Sequence, residues 1–252
     1  MRGLLRTDGG GPDTLFTDTM LVRNFEQIAL RDEFESGQGL RRSSGQAGAI
    51  KKWVTPVRVT AEFGSRAPKA QQNRDRQALS SYIARLARVT GHPISMSGSG
   101  ANFHVLFVSE DDKTFLIKRV RSIVPDISDT AIGILEALPT TVHCLVFAFS
   151  AGTGDYAYDT AIAIIRTEHP DLLRLSCIHE EVAQGLGLGN DDPRARPSIF
   201  NDDDEFALLT SHDELLLKIL YDPRLTPGMR ADEAMPIVRD RATELMGQGG
   251  PT

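Results

Sequence analysis

Positive charge is in deficit along this chain, with 28 lysines and arginines against 34 aspartates and glutamates and a formal net charge of −6. Its electrostatics give no reason to expect nucleic acid as a partner. No run comes near the roughly 20 consecutive apolar residues that a bilayer-crossing helix needs, so no transmembrane segment is expected. Residues Met1 to Asp8 hold no apolar signal segment, and no export signal is expected from them. No internal repeat is found either. What remains is a chain of 252 residues, 40% of them hydrophobic, which suffices for a substantial core in one large domain or two small ones.

Cysteine is scarce, at two residues. Cys144 lies in the apolar run from Val142 to Phe149, and Cys177 lies just ahead of two glutamates. Two readings stand side by side. As buried free thiols they would be ordinary, because unpaired cysteine is among the most buried residue types. As a disulfide, expected if the protein is exported, they would close a loop of about 34 residues and stabilise the fold by roughly 3–4 kcal/mol. The strand carrying Cys144 leads through one further strand into the helix carrying Cys177, so the two are expected to be close in space.

Residues 1–13 are rich in Gly and Asp and read as disordered. An N-terminal helix between Thr14 and Phe34 follows, with Leu21, Val22, Phe25, Ile28 and Ala29 at helical spacing. A Gly-, Ser- and Arg-containing linker over 36–49 completes an N-terminal region spanning 14–50. A main domain over 51–246 and a tail at 247–252 make up the rest. In that domain Val54–Phe63 alternates as a strand, and Arg74–Val89 has helical spacing closed by Gly91 and Pro93. Strands are expected at Ile94 and over 103–108, a helix over 113–124, and two strands over 141–149 and 156–165 joined by the Gly turn at 151–155. Helices over 172–186 and 213–221 complete the expected elements. The fold class read from this order is α/β (α+β), a mixed sheet with packed helices.

The segment with most chemistry is Glu180-Glu181-x-x-Gln184-x-x-Gly187-x-x-Asn190. It is similar to the metzincin pattern H-E-x-x-H-x-x-G-x-x-H, in which two histidines one helical turn apart bind zinc and the glutamate is the general base. Glu181 and Gly187 match the base and the glycine, whereas all three ligand positions lack imidazole. Shifting the register to use His179-Glu180 puts Ala183 at the second ligand position, so zinc loses a donor. His179 falls on the apolar stripe of Leu175, Val182 and Leu186 and reads as a hydrogen-bonded packing residue. Glu180, Gln184, Asn190 and Asp191 form the candidate metal set. As oxygen donors they suit Ca²⁺, Mg²⁺ or Mn²⁺ better than Zn²⁺. Without any ion, Glu181 has no activated water to deprotonate, and the group serves structure through hydrogen bonds.

Downstream, residues 190–205 are dense in carboxylates but lack the donor spacing of a calcium loop. They read as a loop in which Arg194 and Arg196 pair with nearby acids, with Ile199 and Phe200 as its apolar anchor over the end of the motif helix. His212 at a helix start reads as exposed. Met229, after Pro227-Gly228, is similar in chain order to the methionine turn beneath a metzincin metal.

Cys177, Glu180-Glu181-x-x-Gln184-x-Leu186-Gly187-Leu188-x-Asn190-Asp191, Pro197-Ser198-Ile199-Phe200-Asn201-Asp202-Asp203 and Leu220-Tyr221-Asp222-Pro223-Arg224-Leu225 through Gly228-Met229 together resemble a proteobacterial family of lipoprotein-type proteins, domain of unknown function 2927 (DUF2927). The resemblance implies an envelope-associated, periplasmic protein and carries no activity with it. With the motif and the element order it points to a zincin-like domain. The leading expectation is a divergent or inactive metallopeptidase-like envelope protein, a pseudo-metallopeptidase, that binds a peptide or protein partner beside the motif helix. The alternatives are an active metal-dependent hydrolase with Glu181 as general base, and a structural accessory subunit of an envelope complex.

Overall fold

The computed structural model describes residues 5–11, 13–31, 48–150, 152, 156–201 and 205–247. Helix α1 (Asp18–Ala29) opens the fold, with its first turn capped by the Thr17 hydroxyl accepting from the Met20 N–H. Strands β1 (Lys52–Trp53) and β2 (Val57–Phe63) lead to the long helix α2 (Lys69–Thr90), which ends at Gly91 with φ 66°. Strands β3 (Ile94–Met96) and β4 (Phe103–Val108) follow, then a 3-10 turn at Glu110–Asp112 and helices α3 (Lys113–Ile123) and α4 (Asp129–Glu136). The chain returns through β5 (Cys144–Ser150) and β6 (Ala157–Arg166) into α5 (Asp171–Gln184), α6 (Ser211–Leu220) and α7 (Ala231–Gly247).

The sheet runs β1-β6-β4-β2-β3, every one of these pairings parallel, and β5 pairs antiparallel with β6. The sequence explains the positions. All six residues of β4 and the last six of β6 are buried, as suits central parallel strands covered on both faces. Strand β5 alternates instead. Cys144, Val146 and Ala148 pack toward one core, while Leu145, Phe147 and Phe149 pack toward another.

Those two cores lie on opposite faces of the sheet. The larger takes Phe25 of α1, Leu79 and Ile83 of α2, Ile178 and Val182 of α5, Leu217 of α6 and Val238 of α7 against Val59, Phe103, Val105 and Ile165. The smaller packs Leu116 and Val120 of α3 and Ile132 and Leu135 of α4 against Leu106, Ile162 and Ile164. The mixed α/β class is as expected.

Several details differ. Helix α2 starts at Lys69, five positions before the expected Arg74, because its first turns are polar and leave the apolar spacing silent. Helices α4 and α7 were not anticipated. The first is short, and the second contains Pro236, a residue that reads as a helix breaker. Part of the N-terminus expected to be disordered is held, since the Arg6 N–H donates to Glu205 O at 2.7 Å and its guanidinium pairs with Asp8 and Asp13. The linker over 36–47 and most of the Gly turn at 151–155 lie outside the described residues.

Candidate functional site

Helix α5 is fixed at both ends. At its start Arg174, nearly fully buried, pairs with Asp75 of α2 at 3.0 Å and with Asp171 at 2.7 Å. At its end the Trp53 indole N–H donates to Gly185 O at 2.8 Å, and the Tyr221 hydroxyl donates to Leu186 O at 2.9 Å. These bonds satisfy carbonyls that a helix C-terminus leaves without intrahelical partners. Gly187 then turns the chain at φ +123°, where a side chain would collide with the Lys51 carbonyl.

One side of the helix is packing. The His179 ring stacks on Tyr82 with centroids 4.0 Å apart, its Nδ1 accepts from the Leu209 N–H at 3.1 Å, and its carbonyl accepts from the Tyr82 hydroxyl at 2.8 Å. Burial, with the Arg85 charge nearby, pushes the imidazole pKa down to about 3. The expected packing role of His179 therefore has a full set of partners.

The other side holds the chemistry. Cys144 and Cys177 form a disulfide with Cα atoms 5.9 Å apart, tying β5 to α5. Cys177, Glu180 and Glu181 stand at i, i+3 and i+4, which puts them on one helical face, so whatever bonds to Cys177 meets the glutamates. The Cys144 sulfur and one carboxylate oxygen each from Glu180 and Glu181 lie within 4.8 Å of one another. Glu181 is buried and Glu180 half-buried.

The members of the expected ligand set, Glu180, Gln184, Asn190 and Asp191, have the following contacts. The Gln184 side-chain amide donates to Asp191 Oδ1 at 3.2 Å. The Asn190 amide is drawn to α1, where it donates to Gln27 O at 2.9 Å, while its backbone N–H donates to Ile28 O. Glu180 groups with Glu181 and Cys144 Sγ, one helical turn before Gln184. Two carboxylates beside an oxidised cystine leave Ca²⁺ short of the roughly six to eight oxygens it takes, and they offer zinc neither imidazole nor thiolate. The Met229 carbonyl accepts from the Ile50 N–H at 2.9 Å, in a turn where Gly228 has φ 86°.

The segment 190–201 packs down as expected from its apolar pair, with Ile199 and Phe200 buried. Residues 202–204 lie outside the described residues. Two Asp-Pro-Arg turns share one geometry. Asp192 accepts from the N–H and guanidinium of Arg194 at 2.8–3.0 Å, and Asp222 accepts from those of Arg224 at 2.9 Å. Arg196 pairs with Glu205 at 2.6 Å.

His212 corrects its expected exposure. It is fully buried, 3.1 Å from the Asn24 amide and edge-on to Phe16, because α1 packs across the start of α6. Beside it Asp213, in the first turn of α6, is a buried hub. Its oxygens accept from Ser198 Oγ, Ile199 N, Thr210 N and Thr210 Oγ1 at 2.6–3.1 Å. What the sequence reading missed at the site is the adjacency of Cys144 to the glutamates. The i, i+3, i+4 spacing of Cys177, Glu180 and Glu181 carried that signal.

No curated protein and no solved structure matches the chain. Residues 18–240 match the family described as Protein of unknown function (DUF2927), and the chain belongs to that family.

Proposed function

We propose that this DUF2927 family member is a zincin-like, divergent peptidase homologue of the bacterial envelope that binds an extended peptide segment on the outer edge of β5, beside α5. The observation that carries this reading is the placement of Glu180 and Glu181 against Cys144, which sets two carboxylates beside an edge strand. Among the described residues β5 pairs with β6 alone, so its outer edge offers N–H and C=O groups to an added strand. The carboxylates beside it favour a peptide with a basic side chain or a free amine close to the added strand. Support for a zincin-like scaffold comes from the order of strand β2, helix α2, further strands and then the motif helix α5. A disulfide is compatible with an oxidising compartment. No helix among the described residues is long and apolar enough to cross a membrane.

Selection of a random peptide library on the immobilised protein, followed by calorimetry with the enriched sequence, tests the reading. Basic peptides should enrich, and the double substitution Glu180→Gln, Glu181→Gln should weaken binding about tenfold or more, as for removal of a charge-assisted contact. Unchanged affinity in that variant, or no enrichment, would overturn it. Mass spectrometry of the incubated peptide adds a second readout. Cleavage that disappears in Glu181→Gln would favour a hydrolase in which Glu181 is the base.

A further inference from the structure

We infer that Cys144, Cys177, Glu180 and Glu181 form a redox-gated site for a thiophilic divalent cation, Zn²⁺, which the thiol form binds and the disulfide form excludes. The inference does not depend on peptide binding. It starts from the donor atoms: Cys144 Sγ and the two carboxylates lie within 4.8 Å of one another, and Cys177 Sγ is bonded to Cys144 Sγ. Bonds of about 2.3 Å to sulfur and 2.0–2.2 Å to oxygen put the donors of one tetrahedral ion roughly 3.3–3.8 Å apart. In the disulfide form the 4.8 Å group is Cys144, Glu180 and Glu181, so the proposed site requires the side chains, Cys177 among them, to rotate once the S–S bond is gone. Three of the four donors come from one face of α5, at i, i+3 and i+4, and the fourth from β5 packed against it.

The chemistry of the set changes with oxidation state. Oxidised, it offers two carboxylates, a poor match for zinc. Reduced, it offers two thiolates and two carboxylates, with the same formal charge as the four-thiolate sites that hold structural zinc. Cys177 is 1% exposed, so its sulfur sits where water competes weakly for an ion.

Each step balances. A small dithiol attacks the half-buried Cys144 sulfur, and the S–S bond breaks as two electrons pass to the protein. The reductant closes into its own disulfide and two protons end on the protein thiols. Zn²⁺ then forms two Zn–S bonds and displaces those two protons. In reverse, a small-molecule disulfide accepts the two electrons, the protein S–S bond re-forms, and the ion loses both sulfur donors and leaves.

The test uses the full chain, reduced with a water-soluble phosphine or left oxidised. Each form is given Zn²⁺, freed of excess ion and assayed by elemental analysis, with Co²⁺ titrated in parallel to read the thiolate-to-cobalt absorption band. The expected result is one zinc per reduced chain, none retained by the oxidised chain, and a cobalt thiolate band in the reduced chain alone. Because outer-shell groups of metal sites are worth about 10–100-fold in affinity, loss of a direct ligand in Glu180→Gln or Glu181→Gln should weaken binding by at least about tenfold. Equal zinc in both redox forms, no uptake by a folded reduced chain, or unchanged affinity in both glutamate variants would each overturn the inference. If reduction unfolds the chain, zinc should restore its circular dichroism. Failure to do so would overturn it equally.

Discussion

Asp213 on α6 and the Glu180–Glu181 pair on α5 set a carboxylate that ties a loop to a helix beside two that the proposal assigns to a ligand. Asp213 at the start of α6 is 0% exposed, and donors from Ser198, Ile199 and Thr210 converge on it. It ties residues 197–210 to the helix that follows, and its geometry leaves no room for another molecule. Glu180 and Glu181 stand side by side next to a disulfide, with a sheet edge close by. This pair is assigned to a ligand because it lies beside an edge strand, whereas Asp213 is enclosed by the fold. Burial alone would not separate the two, since Glu181 is buried as well.

The contrast predicts the order of mutational effects. Asp213→Ala should cost about 3–5 kcal/mol in urea unfolding, because it leaves several buried donors without an acceptor at once. A loss below about 1 kcal/mol would erase the distinction. Glu181→Gln, measured in parallel, should leave stability within about 1 kcal/mol of the parent.

Reduction of the Cys144–Cys177 bond without added metal should lower stability by about 3–4 kcal/mol, from the entropy regained by an unfolded chain no longer cross-linked across 33 residues. A negligible change would mean that the link positions the glutamates without stabilising the domain.

Acid should act through the packing side of α5. Above pH 6.5 His179 is neutral in both folded and unfolded chains. Below it the unfolded chain takes up a proton that the folded imidazole, held down to about 3, refuses. Stability then falls by up to about 1.4 kcal/mol per pH unit between those limits. His179→Asn keeps an acceptor for the Leu209 N–H and should flatten that slope, and an unchanged slope would assign the acid sensitivity elsewhere.

The Asp-Pro-Arg turns should give the smallest effects. Asp192→Ala removes an acceptor for the Arg194 N–H and should cost about 1 kcal/mol. Arg194→Ala removes a guanidinium whose side chain is 74% exposed and should leave the unfolding midpoint where it was.

Much of the sheet was legible because β4 and β6 are unbroken apolar runs and β2 alternates. Helix α5 was legible because its motif and glycines mark it. What escaped did so for identifiable reasons. The start of α2 is polar and stabilised by tertiary contacts, α7 contains Pro236, and α4 has too few residues for a periodic signal. His212 was misjudged because no local pattern says that α1, far away in sequence, covers it. At the site, the zinc-like spacing pairs Glu180 with Gln184 on one helical face but says nothing of Cys144, which comes from β5. The side chains follow the cysteine face, and Asn190 follows α1.

The most direct test is amide hydrogen exchange on the intact protein, with and without the highest-affinity peptide from the library selection. If a peptide adds to β5 beside Glu180 and Glu181, backbone amides across Cys144–Ser150 gain protection, while those of 198–201 and 205–213 around Asp213 stay as they were. Protection that leaves β5 unchanged and settles elsewhere on the sheet would contradict the account.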